Sequence, residues 1–502
     1  MDTFSGAYSN ICAAEIKYVP TDLSMEGSYL FDLYKSLNAD ERAAFAVFAD
    51  ANASESQKNA GKISTLIGLL QQSVTTGRRL EKGQVYGALF PGEQQKEGKL
   101  EKIMTGANQL LKTFLLQRQY FSPQNELERQ VDWVHLLKER GLDSWRQKSL
   151  QKLQKIQQSQ APHDLGHYHL QFRIDFAAYQ NEAAHNQLKG DLHVPDALQS
   201  LDLYYHIARL ELVNHYLLQR KVTNLSADAM RALPAAHPIP PPYFTTSPVL
   251  LIAHKISELL RQELPPLADF QELSQLLQEH EASIAPDLLQ QFYTYLRNFC
   301  AFLINAGANE LLPLFHQLQR DNLARGYLYH EGGRISASAY LSVTTGALRV
   351  GNIAWAQDFV ENHRHRVIGD NAGHDLYRLN KALCLFASGQ FEAALDDIAP
   401  VFDFLNYTLL AKRLEVKILY ELQSDLLPYK AGAFKIFITR ASQRFMPDEL
   451  RRPNADFINV IHQILRSRPG QAARSERLLR RMQTKPRIAE RDWLMEKISQ
   501  LK

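Results

Sequence analysis

Two matching segments, 38 residues apart, constrain the fold of this chain more than any other feature. The segments "VGNIAWAQDF" and "SGQFEAALDD" share the pattern Gly-x-(Ile/Phe)-x-x-Ala, with Gly351 and Gly389 at the glycine position and Ala356 and Ala394 at the alanine position. Glycine can end a helix in a left-handed conformation without steric cost, and alanine lets two helices approach closely. The repeat therefore predicts pairs of short antiparallel helices that stack on one another.

Degenerate copies of the pattern extend the repeat in both directions. They are "NAGANELLPLF" around Gly307 and "YELQSDLLPYKAGAF" around Gln423. A single helix hairpin leaves apolar surface uncovered, so that each unit needs a neighbour. We expect the register to run from about Phe299 to Thr439.

The segment "RLNKALCLFASGQFEAALDDIAP" resembles a tetratricopeptide repeat. Ala382, Gly389, Phe391, Ala394 and Pro400 lie near the small, glycine, tyrosine, alanine and proline positions of that repeat. The resemblance implies an α-solenoid of antiparallel helix hairpins. Other segments, such as "LFPGE", "ALRVGNIAWAQDFVENH" and "ERDWLMEKISQL", resemble helical proteins of bacteria, and that resemblance implies no activity.

Helical spacing continues over the rest of the chain, which predicts an all-α protein. Strand-like alternation is confined to short pieces such as "FKIFI". Successive prolines in "LPAAHPIPPPYFTTSP" predict an extended linker. We therefore expect an N-terminal helical bundle or array over 1–232, a Pro-rich linker over 233–248, a tetratricopeptide-like array over 249–445 and basic capping helices over 446–502.

Composition favours a folded chain in a reducing compartment. Hydrophobic residues make up 45% of the 502 residues, and the net charge is only +3. The three cysteines, Cys12, Cys300 and Cys384, are widely separated, which argues against a disulfide framework or a thiolate metal site. Because the first residues lack an export signal and no apolar run approaches about 20 residues, we expect a cytoplasmic protein without a membrane span.

The chain has no recognisable catalytic motif. The segment "SQKNAGKIS" fails the phosphate-loop pattern at two positions, and neither GxGxxG nor GxSxG occurs. His163 and His167 have the spacing of two metal ligands on a helix, but no third ligand accompanies them. His363 and His365 are interpreted as a solvated helix end. We therefore predict no catalytic residue, no metal and no cofactor.

The C-terminal region is the one electrostatic anomaly. Its candidate binding residues for an acidic partner or nucleic acid are Arg474, Arg477, Arg480, Arg481, Lys485 and Arg487. Leu478, Leu479 and Met482 lie between them, which favours an amphipathic capping helix with a charged solvent face. The leading hypothesis is a non-enzymatic scaffold that binds a protein or peptide partner. The alternative is a nucleic-acid-binding regulatory or defence protein. The oligomeric state stays open.

Overall fold

The protein is all-α and forms two compact units, Met1–Lys155 and Ile156–Lys502. Its structure is a computed structural model. The structure describes residues 24–53, 60–159, 162–185, 192–223, 237–368, 375–398, 405–442, 445–446, 448–467, 472–483 and 488–501. Cys12, Pro400, Lys485 and Arg487 lie outside these ranges.

In the first unit, five helices enclose one apolar core, in which Phe45 packs against Phe114 with ring centroids 5.5 Å apart. These helices are α1 (Tyr29–Ser36), α2 (Ala39–Ala53), α3 (Ala60–Thr76), α4 (Lys82–Leu89) and α5 (Lys99–Tyr120). After a 3-10 turn at Pro123–Asn125, the chain continues into α6 (Glu126–Glu139) and α7 (Asp143–Gln158).

The second unit begins with two long helices, and shorter helices follow along the chain. They are α8 (Leu165–His185), α9 (Val194–Thr223), α10 (Pro242–Thr246), α11 (Pro248–Arg261), α12 (Leu267–Glu279), α13 (Pro286–Asn305), α14 (Leu312–Ala324), α15 (Ala337–Arg349), α16 (Ile353–His363), α17 (Asp375–Ala387), α18 (Phe391–Asp396), α19 (Leu405–Glu421), α20 (Leu427–Arg440), α21 (Asp448–Leu465), α22 (Ala472–Gln483) and α23 (Arg491–Ser499).

Short non-helical elements join some of these helices. Strands β1 (Tyr329–His330), β2 (Arg334–Ser336) and β3 (Val367–Ile368) form a small sheet in the order β1-β2-β3. Strands β1 and β2 are antiparallel, whereas β2 and β3 are parallel. Further 3-10 turns lie at Glu281–Ser283, Asn309–Leu311 and Glu331–Gly333.

The turns predicted from the repeat share one backbone geometry. Gly351 and Gly389 both have φ of 77°, and each follows the last turn of a helix. At Gly389 the amide donates to Phe386 O, and the next amide donates to Leu385 O. Gly307, Gly351 and Gln423 show the same pair of hydrogen bonds, which defines the Schellman motif. Helix termination at the two repeat glycines is therefore confirmed.

The alanines of the repeat are also where the pattern places them. Ala356 and Ala394 are 0% exposed and contribute to neighbouring apolar cores. The two helices of each pair contact one another in α13/α14, α15/α16, α17/α18 and α19/α20. Each pair also contacts the next along the chain, and α17 contacts both α15 and α19. Close helix packing at the small residues is thus confirmed.

The last three helices share a core with α19 and α20. Leu494 and Ile498 of α23 are fully buried in it. Glu490, just before α23, pairs with Arg413 at 3.0 Å and with Lys417 at 2.8 Å. Lys497 pairs with Glu421 at 2.8 Å. Apolar burial and ion pairs therefore hold the C-terminal helix against α19.

One local expectation from the sequence is corrected, and one segment with strand-like alternation proves to be helical. Residues 242–246 of the Pro-rich segment form a short helix, because Pro242 occupies the first helical position, where no backbone donor is needed. Helices α9 and α11, on either side of the segment, share one apolar core. The "FKIFI" piece lies in α20, where Phe434 and Ile438 are buried one helical turn apart.

No helix within the described ranges combines the length and apolar character that crossing a membrane requires.

Candidate functional site

A cleft of about 430 Å³ opens between α13 and α15 in the second unit. Helix α14 and the β1–β2 segment complete its walls. Gln290 Nε2 donates to Tyr329 O at 3.0 Å, which fixes β1 beside α13. We call this feature the Arg297 cleft. Its described polar lining residues are Gln290, Thr294, Arg297, Asn298, Gln319, Tyr327, His330, Ser336, Ser338 and Ser342.

Arg297 is the permanent cation of the cleft, and it has no counter-ion among the described residues. Its Nη2 donates to Thr294 Oγ1 at 2.8 Å, whereas its Nη1 is buried and makes no hydrogen bond within the described chain. Burial lowers the pKa of Arg297 to about 10, so the guanidinium stays charged at neutral pH. The Arg297 side chain as a whole is half-buried, so that part of it remains in contact with solvent.

Hydroxyl groups and a helix N-terminus face the same cleft. Ser336 caps the 13-residue helix α15 by accepting a hydrogen bond from Ala339 N at 3.2 Å. Ser338, in the first turn of α15, also lines the cleft. The first turn of a helix carries partial positive charge. The cleft thus combines a guanidinium, a positive helix end and neutral hydrogen-bonding groups.

Gln319 connects the cleft wall to the interior. It is 1% exposed, and its Nε2 donates to Ser342 Oγ at 3.0 Å. Its Oε1 has no hydrogen-bond partner in the described part of the chain and lies where a Cβ on Gly346 would overlap it. Gly346 therefore leaves room for the amide that positions Ser342.

A second surface feature lies on α20 and is apolar. Phe434 and Ile438 face the core, and on the opposite side of the helix Leu426, Tyr429, Ala433 and Ile436 are exposed. Tyr429 is 72% exposed. We call these four residues the α20 apolar face. Helix α20 also carries Lys430, Lys435 and Arg440 and no acidic residue.

The structure places four of the six predicted C-terminal binding residues on α22. Arg477, Arg480 and Arg481 are exposed on one face, and Arg474 is half-buried beside them. The opposite face is buried through Ser475, Leu478 and Met482, and Ser475 Oγ donates to Ile498 O at 2.6 Å. The helix is thus amphipathic, with its arginines toward solvent. The remaining two residues, Lys485 and Arg487, lie outside the described residues.

The histidine pair predicted from spacing does not share a helix. Helix α8 begins after Asp164, which accepts a hydrogen bond from His167 N at 2.7 Å, so that His163 precedes the helix. The two imidazole rings stack with centroids 3.9 Å apart. Burial, together with His163, lowers the pKa of His167 to about 4. No group of three or more metal-ligating side chains occurs within the described ranges.

The expectation for His363 was wrong, because its side chain is buried instead of solvated. Its Nδ1 contacts Phe359 O and its Nε2 contacts Tyr329 OH, both at 2.9 Å. Burial lowers the pKa of this imidazole. His363 therefore links α16 to β1 and does not serve as a charged helix end.

No protein family, curated protein or solved structure matches the chain. Sequence reasoning missed both the Arg297 cleft and the α20 apolar face. The available signal was Arg297 itself, a lone arginine inside the apolar segment "FYTYLRNFCAFLI".

Proposed function

We propose that this chain is a non-enzymatic scaffold, a tetratricopeptide-like α-solenoid whose surface binds a protein or peptide partner. The repeated Schellman turns and the contacts between successive helix pairs support the solenoid. Stacked hairpins present extended surfaces to partners, and such surfaces need no catalytic group.

The observation that carries the proposal is the α20 apolar face. Single exposed apolar residues are common on proteins, but a continuous apolar stripe on one helix face is typical of interaction sites. Leu426, Tyr429 and Ile436 are each more than half exposed. The partner that fits this face has apolar side chains, and the exposed Lys435 and Arg440 favour acidic residues toward the C-terminal end of α20.

Affinity purification of the intact protein from its own cells tests the proposal. We compare the wild-type chain with Tyr429→Glu, which places an acidic side chain in the α20 apolar face, and with Lys435→Glu, which places an acidic side chain on another exposed side of α20. A buried tyrosine at an interface commonly contributes enough binding energy to change recovery at least about tenfold. Equal recovery of every companion by both variants would contradict the proposal.

Nucleic-acid binding through α22 is the second candidate, and the shared exposed face of Arg477, Arg480 and Arg481 favours it. Each phosphate contact contributes about 0.9 to the slope of log affinity against log salt for duplex DNA. Replacing the three arginines with glutamine is therefore expected to reduce that slope by nearly 3. Binding that does not depend on salt would exclude this candidate.

A further inference from the structure

We propose that the outer side of the antiparallel pair α8 and α9 binds the same surface of a second copy of this chain, so that the two helix pairs form a four-helix bundle. Six residues define this surface, which we call the α8–α9 face: Phe172, Phe176 and Tyr179 on α8, and Leu198, Leu201 and Leu212 on α9. It lies on different helices from the α20 apolar face, so either proposal can fail alone.

Helix α9 is apolar on two opposite sides. Ile207, Leu210 and Leu217 are buried in the core that α9 shares with α11 and α13. On the other side of the helix, Leu198 and Leu212 are 55% and 75% exposed. A single exposed leucine is ordinary, but a second apolar side along a 30-residue helix is typical of a helix that packs against a further element.

Helix α8 extends the face with three aromatic rings. The Phe176 ring centroid lies 5.7 Å from that of Phe172 and 5.8 Å from that of Tyr179, so the rings form a continuous row. Phe176 is 41% exposed, and Phe172 and Tyr179 are half-buried. The opposite side of α8 is buried through Ile174 and Ala177. Both helices thus have one buried side and one apolar side in contact with solvent.

The two rows lie on the same side of the helix pair. The helices are antiparallel, because His169 contacts Tyr204 with ring centroids 5.0 Å apart, whereas Asp175, further along α8, is hydrogen-bonded to Ser200, earlier in α9. On each helix the exposed row lies about a quarter turn, in the same rotational sense, from the side that faces the other helix. Because the helices run in opposite directions, these two quarter turns lead to one common side.

Residue spacing is the first argument for a second copy. Along α9 the row Leu198, Leu201, Tyr205, Ala208 and Leu212 alternates steps of three and four residues, and the row of α8 does the same. Long helices that pack side by side in a bundle need this alternation. A twofold dimer provides two such helices from each copy with one self-complementary surface.

Charge is the second argument. Arg173 lies on the outer edge of α8 and Asp202 on the outer edge of α9, at the same level along the pair because Asp175 lies beside Ser200. A twofold axis parallel to the helices places α8 of each copy against α9 of the other, and Arg173 then meets Asp202 of the second copy at two places. Asp202 accepts a hydrogen bond from Tyr243 at 3.1 Å, and a carboxylate has room for a further donor. Opposite charges beside an apolar seam specify such a pairing.

The size of the face sets the expected affinity. With Val194 at its start, the row of α9 is about 27 Å long, and two adjacent helices are about 20 Å wide, which gives roughly 500 Å² on each copy. A total of roughly 1,000 Å² lies at the low end of specific interfaces. We therefore expect a dimer with a Kd in the micromolar range.

Sedimentation velocity of the full chain tests the inference. Between about 1 and 100 µM, the average mass is expected to rise from 57.3 kDa toward twice that value. Leu212→Glu is expected to raise Kd at least about tenfold, because the dimer would bury the charge. Since Leu212 is 75% exposed in the single chain, its Tm should not change. Gln199→Glu, on an exposed part of α9 that faces away from the row, is the matched control and should dimerise like the wild type.

A mixing experiment tests the charge pairing. Arg173→Glu and Asp202→Arg are each expected to weaken the dimer, because each places like charges together at two places. An equimolar mixture of the two variants should form a mixed dimer, in which both contacts again join opposite charges. Recovery on mixing requires a contact between chains, so a structural role of either residue within its own chain would not produce it.

The contrary outcomes are equally defined. A mass that stays at 57.3 kDa over this concentration range would overturn the inference, and so would a Leu212→Glu variant that dimerises like the wild type. Loss of the dimer in Tyr429→Glu but not in Leu212→Glu would assign self-association to the α20 apolar face. A mixture that stays monomeric would contradict the twofold arrangement. A different protein that co-purifies with the wild type but not with Leu212→Glu, without self-association, would replace the second copy as the occupant.

Discussion

Replacing Glu490 by glutamine tests how the C-terminal helix is held. The Glu490 carboxylate is 21% exposed and contacts both Arg413 and Lys417. Burial opposes its charge, but Lys417 and Arg413 together lower its pKa from 4.5 to about 2. At about 1.4 kcal/mol for each pH unit, the charged form stabilises the fold by about 3 kcal/mol at neutral pH. Glu490→Gln is expected to lose a contribution of that size.

The pH dependence of this loss has a defined sign. Because the pKa of Glu490 is lower in the folded than in the unfolded chain, its contribution is complete above pH 4.5 and disappears as the pH falls toward 2. Urea unfolding followed by circular dichroism measures the difference between wild type and Glu490→Gln. We expect the difference to fall by about half between neutral pH and about pH 3. Glu476→Gln, exposed on α22, is the control.

A loss of less than about 1 kcal/mol at neutral pH, or the same loss at both pH values, would show that the ion pairs of Glu490 do not stabilise the fold in this way.

Three further predictions concern the repeat and the buried thiols. Gly389→Ala should destabilise the protein by about 1 kcal/mol in thermal denaturation, because Gly389 has φ of 77°, a conformation that alanine disfavours. The control is Gly432→Ala, inside α20, which should be neutral or stabilising because the space that the added methyl group would occupy is open. Ala394→Leu should cost about 1–3 kcal/mol in the same assay, since Ala394 is fully buried at a helix crossing, and an unchanged Tm would contradict that packing. Burial raises the pKa of Cys300 and of Cys384 to about 12. Iodoacetamide should therefore alkylate these thiols near neutral pH only after urea unfolds the chain, as measured by peptide mass spectrometry. Rapid labelling of both thiols in the folded protein would contradict their burial.

The sequence predicted the features that depend on neighbouring residues. A glycine after an apolar helix and an alanine five residues later specify a turn and a close crossing, and both are present at Gly351 and Gly389. The turn at Gln423 was predicted from a degenerate copy although glutamine rarely adopts φ of 51°. Local patterns therefore sufficed for the turns.

The candidate sites could not be predicted from the sequence, because they depend on contacts between residues that are far apart along the chain. The Arg297 cleft combines α13, α14, α15 and the first two strands, and periodicity does not show which polar groups face one another across a cleft. The small sheet contributes only two or three residues in each strand, too few for a recognisable alternation. The sequence also does not distinguish the exposed side of α20 from its core-facing side, because apolar residues occur around most of the circumference of this helix.

Site-specific photo-crosslinking on α20 tests the central claim most directly. A photoreactive phenylalanine analogue is placed at Tyr429, at Ile436 or, as the control, at Lys435 on another exposed side of the helix. The scaffold proposal predicts that one and the same protein is captured from Tyr429 and Ile436 and not from Lys435. Equal capture from all three positions, or capture from none, would contradict it.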